Sequence, residues 1–244
     1  MMRRSIALAA AVIGGCAALA AAQAQTPPRP PASTLTRPAT PSRAVGADGF
    51  LQRWLVLEPM KVPGQLTESA VRRAVMLAQG NDEDHNVIVE NQLAGIPADG
   101  KHVTVGGETL TWHAVDTSKY NVNLYHFAYA LGKPTSNVLF WAVTVVVAPH
   151  EMRGVRLAIG SNAASIWSLN DLEVIGIYND RQTVVDDGVS PRVTLKAGPN
   201  VIRAAIVNAG GATDFCARFL DAHDAPITDL TVRLTAPSAA VARP

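Results

Sequence analysis

From residue 50 onward, short apolar runs alternate with polar breaks that contain Gly or Pro, the pattern of many short strands joined by turns. Residues 50–57 read as the first strand, stopped by Glu58-Pro59. Val103 and Val105 alternate with polar residues, Gly106-Gly107 turns the chain, and Leu110, Trp112 and Ala114 alternate back. That is a hairpin, because two glycines accept the positive φ angles a tight turn demands. Val138–Ala148 is β-branched and aromatic almost throughout, which predicts a strand covered on both faces. Residues 155–160 form another strand. Residues 164–178 form a second hairpin turning at Asn170-Asp171, with Trp167 opposite Val174 and Ile166 opposite Ile175. Strands follow over 192–196, 201–208, 214–220 and 229–235, separated by turns at Gly198-Pro199, Gly210-Gly211 and Ala225-Pro226. Only 66–79 carries helical spacing, with Val71, Ala74, Val75 and Ala78 on one face, Thr67 as cap, Glu68 in the first turn and Gly80 at the exit. Many short strands and a single short N-terminal helix predict a mainly β fold, a two-sheet antiparallel β-sandwich over residues 48–236.

The ends of the chain carry different patterns. Arg3 and Arg4 precede an apolar run of Ala, Leu, Ile, Val and Gly, and Ala22-Gln23-Ala24 offers small residues at the positions signal peptidase needs. Residues 1–24 therefore read as a signal peptide, which predicts a periplasmic or extracellular protein. A second route is open. Ile13-Gly14-Gly15-Cys16 resembles a lipoprotein cleavage box, and lipidation of Cys16 would make this an outer-membrane lipoprotein, with the membrane as a partner in that case alone. Residues 25–47 hold six prolines, which fix φ and lack an amide donor, so they read as an extended linker outside any sheet. Residues 237–244 read as a disordered tail.

Composition narrows the function classes. Hydrophobic residues make up 48% of the chain and charged residues 17%, enough for a packed core. The formal charge is +1, falling to about −1 once Arg3 and Arg4 leave with the leader, so no basic face argues for nucleic acid. With Cys16 in the leader, Cys216 is left alone in a strand-like stretch, and it reads as a small buried hydrophobe.

No Gly-x-Ser-x-Gly elbow, His-Glu-x-x-His or EF-hand loop is present. If the chain were an esterase, Ser161 in Gly160-Ser161-Asn162 would be its nucleophile; otherwise Ser161 and Asn162 are turn residues. No cofactor is required, although Asn179-Asp180 and Asp186-Asp187-Gly188 offer hard oxygens that suit calcium. Sugar recognition needs aromatic faces beside fixed hydrogen-bonding groups. Trp167, Tyr178, Arg181, Asp186 and Asp187 supply that mixture, and Asn208 and Asp214 flank a further Gly-rich loop. These seven are the candidate carbohydrate-binding residues. Trp54, Trp141 and Trp167 also lie in apolar runs that suit core packing.

Gly160-Ser161-Asn162, Ile166-Trp167, Asn170 at the turn and Glu173-Val174 together resemble a motif of jelly-roll, galactose-binding-like modules attached to secreted bacterial glycan enzymes. Leu195-Lys196-Ala197-Gly198-Pro199-Asn200, Arg203 and the 208–211 loop extend the resemblance over roughly residues 50–236. It implies a jelly-roll sandwich, a polysaccharide or oligosaccharide partner and a role in xylan-type degradation. Related chains often carry the label acetylxylan esterase. The family turn has Asn-Gly followed by Lys, where this chain has Asn170-Asp171-Leu172.

Overall fold

The computed structural model describes residues 35–80, 91 and 93–235. The expected signal peptide with Cys16, the first part of the expected linker, the acidic turn expected at 81–86 and the tail expected at 237–244 lie outside the described residues. In chain order the elements begin with β1 (Leu35–Thr36), β2 (Ser42–Ala44), β3 (Arg53–Leu57), β4 (Met60–Lys61) and α1 (Glu68–Ala78). Then come β5 (His102–Val105), β6 (Glu108–Thr117), β7 (Val122–Asn123), α2 (Leu124–Ala130), β8 (Val138–Ala148), β9 (Met152–Ser161), β10 (Ala164–Leu169) and β11 (Leu172–Ile177). The chain closes with β12 (Gly188–Val189), β13 (Val193–Leu195), β14 (Gly198–Asn208), β15 (Asp214–Leu220) and β16 (Thr231–Arg233).

All pairings among the described strands are antiparallel. The larger sheet runs β1-β6-β3-β8-β14-β10-β11, with β16 and β4 also on β8, β2 on β16 and β5 on β6. The smaller runs β12-β9-β15-β7, with β13 also on β9. Side chains alternate across a strand, so each strand of the larger sheet serves two faces. Trp54, Val56, Phe140, Ala142, Ile202 and Ala204 face inward and meet Leu157, Ile159, Phe215, Ala217 and Phe219 of the smaller sheet. Their neighbours Leu55, Leu57, Leu139, Trp141, Val143, Ala205 and Val207 face the other way and pack with Val71 and Ala74 of α1. The fold is the β-sandwich expected, and β8 is buried on both faces as its unbroken apolarity predicts.

The interior is centred on three rings. Trp54 and Trp167 meet edge to face at 6.0 Å, and Phe215 lies 5.0 Å from Trp54 and 5.4 Å from Trp167. Neither indole is left polar and unpaired: Trp54 Nε1 donates to the Leu51 carbonyl at 2.6 Å and Trp167 Nε1 to Ser165 Oγ at 2.9 Å.

Both expected hairpins form. Gly106 and Gly107 take φ of 56° and 80°, and Asn170 and Asp171 take 49° and 70°. The register of the second hairpin differs from expectation. Leu169 faces Leu172 and Ser168 faces Glu173, but Trp167 then faces Ile175 and Ile166 faces Gly176. A bulge at Trp167/Ser168 leaves Val174 as the extra residue, and both Val174 and Ile175 reach the interior.

Four further expectations are corrected. The linker assigned to 25–47 contributes β1, paired with β6, and β2, paired with β16. Pro38 and Pro41 lie between those strands, outside the paired residues, so their missing amides break no ladder. The first core strand starts at Arg53, after Phe50 has made a single bridge to Arg218. Gly198-Pro199 opens β14 opposite Ala148 and Val147 rather than standing outside it as a turn. A second helix, α2, follows Asn123, whose side chain accepts from the His126 amide at 2.8 Å. The helix at α1 stands where expected, with Thr67 at the cap position but making no side-chain cap bond.

An ion-pair network joins the N-terminal strands to the sheet. Asp116 takes Arg53 Nη2 at 2.8 Å on one oxygen and Arg43 Nη1 at 2.8 Å on the other. Arg53 also donates to the Thr40 carbonyl at 2.6 Å, and its side chain is buried.

Candidate functional site

The structure brings four of the seven candidate sugar-binding residues, Arg181, Asp186, Asp187 and Asp214, to the loop between β11 and β12, and sets Trp167, Tyr178 and Asn208 apart from them. Trp167 is fully enclosed between the sheets, so it presents no face to a ligand. Ser161 is equally enclosed. Its hydroxyl donates to the Ala163 carbonyl at 2.7 Å, the work of a turn residue rather than a nucleophile. Asn208 is buried at the end of β14, where its amide donates to the Thr135 carbonyl at 2.7 Å and its oxygen accepts from Gly210.

Two carboxylates of the loop between β11 and β12 are held by arginines. Arg218 of β15 grips Asp186 through Nε at 2.9 Å and through Nη2. Arg181 pairs with Asp187. Asp214 receives Asn121 and the Thr183 hydroxyl. A carboxylate held by a guanidinium is a poor start for a calcium ligand, and among the described residues no three His, Cys, Asp or Glu side chains converge on one point. The loop lies against β9 so closely that a Cβ on Gly160 would sit 2.1 Å from the Val184 carbonyl oxygen. Cys216 lies under the same contact, 3.0 Å from that Cβ position. Burial, reinforced by Asp186 and Asp214 against a backbone hydrogen bond at Gly160 and the charge of Arg218, pushes its thiol up to about 11. The thiolate is the nucleophile, so the native protein is expected to resist iodoacetamide at pH 7 while denatured protein labels fully. Intact mass after each treatment reads the difference.

Tyr178 packs with the cluster on the α1 side of the larger sheet. Its phenol occupies the space a side chain at Gly176 would need, 2.5 Å from the Cβ position, and the Arg72 guanidinium lies 5.9 Å from its ring centre. Arg72 leads to a feature that no local sequence pattern marks: a cleft of about 490 Å³ between α1 and the outward face of the larger sheet.

Register builds the floor of this cleft. Trp141 faces Ala205, and Ala205 faces Ile166, so one row across β8, β14 and β10 is apolar. The next row places Arg203 beside Ser168, and Ser168 beside Glu173. Val75 and Met76 of α1, with Gln79 at its C-cap, line the cleft on one side, and Asn91, Leu93 and Ala94 also line it. Trp141 is only 4% exposed, and its indole N–H has no hydrogen-bond partner among the described residues. The helix is fixed over the cleft by Arg72, which binds both oxygens of Glu173 at 2.9 Å and Glu68 at 2.9 Å. At the far end Arg203 reaches Asp171 and the Ala94 carbonyl. Asn170 sets the Asp171 turn by bonding the Val201 amide at 2.9 Å and Asn200 Oδ1 at 3.0 Å.

None of the seven candidates lines this cleft; Tyr178 borders it through Arg72. Sequence reading misses it because its residues come from α1 and its C-cap, Asn91, Leu93 and Ala94, β8, the β10–β11 hairpin and β14, far apart in the chain. One signal was available. Ser168 and Arg203 are polar at outward positions of strands whose inward neighbours are apolar, on a sheet face that a helix covers.

No protein-family model matches the chain, and no curated protein does. Among solved structures it is similar to the β-glucosidase of Kluyveromyces marxianus in complex with glucose, at 14% identity and a TM-score of 0.35, over 68% of this chain and 16% of that one. It is also similar to the PA14 domain of the antifreeze protein MpAFP, at 12% identity and a TM-score of 0.38, over 72% of this chain and 90% of the domain. A third likeness is to the GH31 α-xylosidase of Xanthomonas citri, at 10% identity and a TM-score of 0.28, over 56% of this chain and 16% of the enzyme. None of these three proteins is an acetylxylan esterase.

Proposed function

We propose that the chain is an exported carbohydrate-binding β-sandwich that works beside enzymes degrading xylan-type polysaccharide, and that it holds its glycan in the cleft beneath α1. One observation carries the reading: an open cleft of about 490 Å³ whose floor is apolar, through Ala205 and Ile166, and whose borders are polar, through Ser168, Gln79 and the two arginine–carboxylate pairs. A sugar ring has the same division, with C–H faces and hydroxyl edges, and each hydroxyl both donates and accepts. Among the described residues Ser168 and Gln79 have no side-chain hydrogen bond of their own, which leaves them free to read hydroxyls. Ser161, enclosed and tied to its own turn, gives the esterase reading no support.

Affinity electrophoresis on xylan, mannan and pectin tests the proposal. Retardation on xylan is expected, and Ser168→Trp, which fills the cleft from the floor, is expected to weaken it about tenfold or more. Equal retardation of the variant and the parent would move the site elsewhere. Migration unaffected by every glycan would end the carbohydrate reading.

A further inference from the structure

The charged end of the cleft adds a ligand class to the reading just given, on which this inference rests. Arg203 projects from the outward face of β14, and its side chain is only 9% exposed. It is a buried cation. Its Nη2 is taken by the Ala94 carbonyl, its Nη1 by Asp171, and its Nε has no hydrogen-bond partner among the described residues. The Asp171 side chain, by contrast, is 78% exposed. The two halves of this ion pair therefore have unequal ties to the fold. Arg203 cannot leave the sheet, whereas Asp171 sits at the tip of a hairpin and can turn to water with little loss of packing.

A buried guanidinium stripped of its carboxylate is strongly unfavourable, so a neutral ligand cannot enter by removing Asp171. An anionic ligand can. Exchange of one carboxylate for another keeps the charge at Arg203 balanced throughout, and the released Asp171 regains full hydration. We propose that Arg203 is the receptor for a uronic acid carboxylate on the bound glycan, and that Asp171 holds that place until the glycan displaces it. The cleft then selects acidic over neutral chains of the same backbone. Ser168, facing Arg203 across the ladder, stands where the hydroxyls of the same sugar would lie.

Asp171→Asn separates this role from a structural one. Asn tolerates the positive φ of 70° at this turn tip and its amide oxygen can still accept from Arg203, so the hairpin is retained while the competing charge is lost. Titration calorimetry at pH 7 would compare glucuronic-acid-substituted xylan, the same polymer after carboxyl reduction, and dextran sulfate. The parent protein is expected to prefer the acidic xylan over its reduced form. Asp171→Asn is expected to raise that preference about tenfold, since the internal competitor is gone. Arg203→Gln is expected to bring the preference to one.

Equal binding of acidic and reduced xylan by the parent protein would overturn the uronate assignment and leave the carbohydrate reading standing. An Asp171→Asn variant that binds both polymers less well, by the same factor, would make Asp171 a brace and also overturn it. Dextran sulfate binding as tightly as acidic xylan would reduce the effect to bulk charge and do the same. Absence of binding to every polymer would remove both readings together.

Discussion

Replacing Trp167 by Ala is expected to destabilise the domain by about 3–5 kcal/mol, the range for removing a large aromatic side chain from a well-packed interior. The loss has three parts. The indole is wholly enclosed, so its full apolar surface returns to the balance. Edge-to-face contacts with Trp54 and Phe215 are worth a further ~0.5–1.5 kcal/mol per pair beyond burial. Ser165 Oγ, itself fully buried, also loses the donor that satisfies it. Trp167→Phe keeps most of the ring and is expected to recover a large share of the stability. Urea unfolding followed by tryptophan fluorescence and circular dichroism would read both variants. A change below about 1 kcal/mol for Trp167→Ala would show that the three rings do not hold the interior.

Asp116→Ala is expected to be as damaging, by a different route. Arg53 is 2% exposed, and Asp116 is its carboxylate partner among the described residues. Breaking a buried pair from one side typically costs about 3–5 kcal/mol, because the remaining charge stays desolvated. The paired replacement Arg53→Met with Asp116→Leu removes both charges and is expected to fall within about 1–2 kcal/mol of the parent. Thermal melts of the single and double variants would decide. If the double variant melts as low as Asp116→Ala, lost packing rather than an orphaned charge explains the result.

The sequence exposes those parts of the fold whose cause is local. A two-residue hairpin needs positive φ, so Gly106-Gly107 and Asn170-Asp171 announce their turns. Val71, Ala74, Val75 and Ala78 announce α1, and the unbroken run from Val138 to Ala148 announces a strand between two covered faces. What stays hidden depends on partners distant in the chain. Strands β1 and β2 are too short to read as strands and lie among prolines, and they exist because β6 and β16 offer open edges. Helix α2 has seven residues, Leu-Tyr-His-Phe-Ala-Tyr-Ala, whose aromatics look as strand-like as helical. The bulge after Trp167 leaves no mark, because Val174 and Ile175 are equally apolar.

The site follows the same division. Residues 179–188 attract attention as a charged loop, yet Asp187 and Asp186 are taken by Arg181 and Arg218 in ways only the fold can specify. The cleft beneath α1 depends on registers that place Ser168 beside Arg203 and Ala205 beside Trp141, and no stretch of sequence contains those pairs.

The lacing of β2 onto β16 has a practical consequence for anyone trimming this protein. A chain cut to begin at Phe50 would keep every ring of the interior, yet it would bare one flank of β16 and the outer flank of β6. Unpaired flanks of that kind recruit neighbouring molecules, so the shortened protein should self-associate where the longer one stays dispersed. Both β1 and β2 therefore belong in any shortened version of the domain, although they lie upstream of the point where its hydrophobic pattern begins.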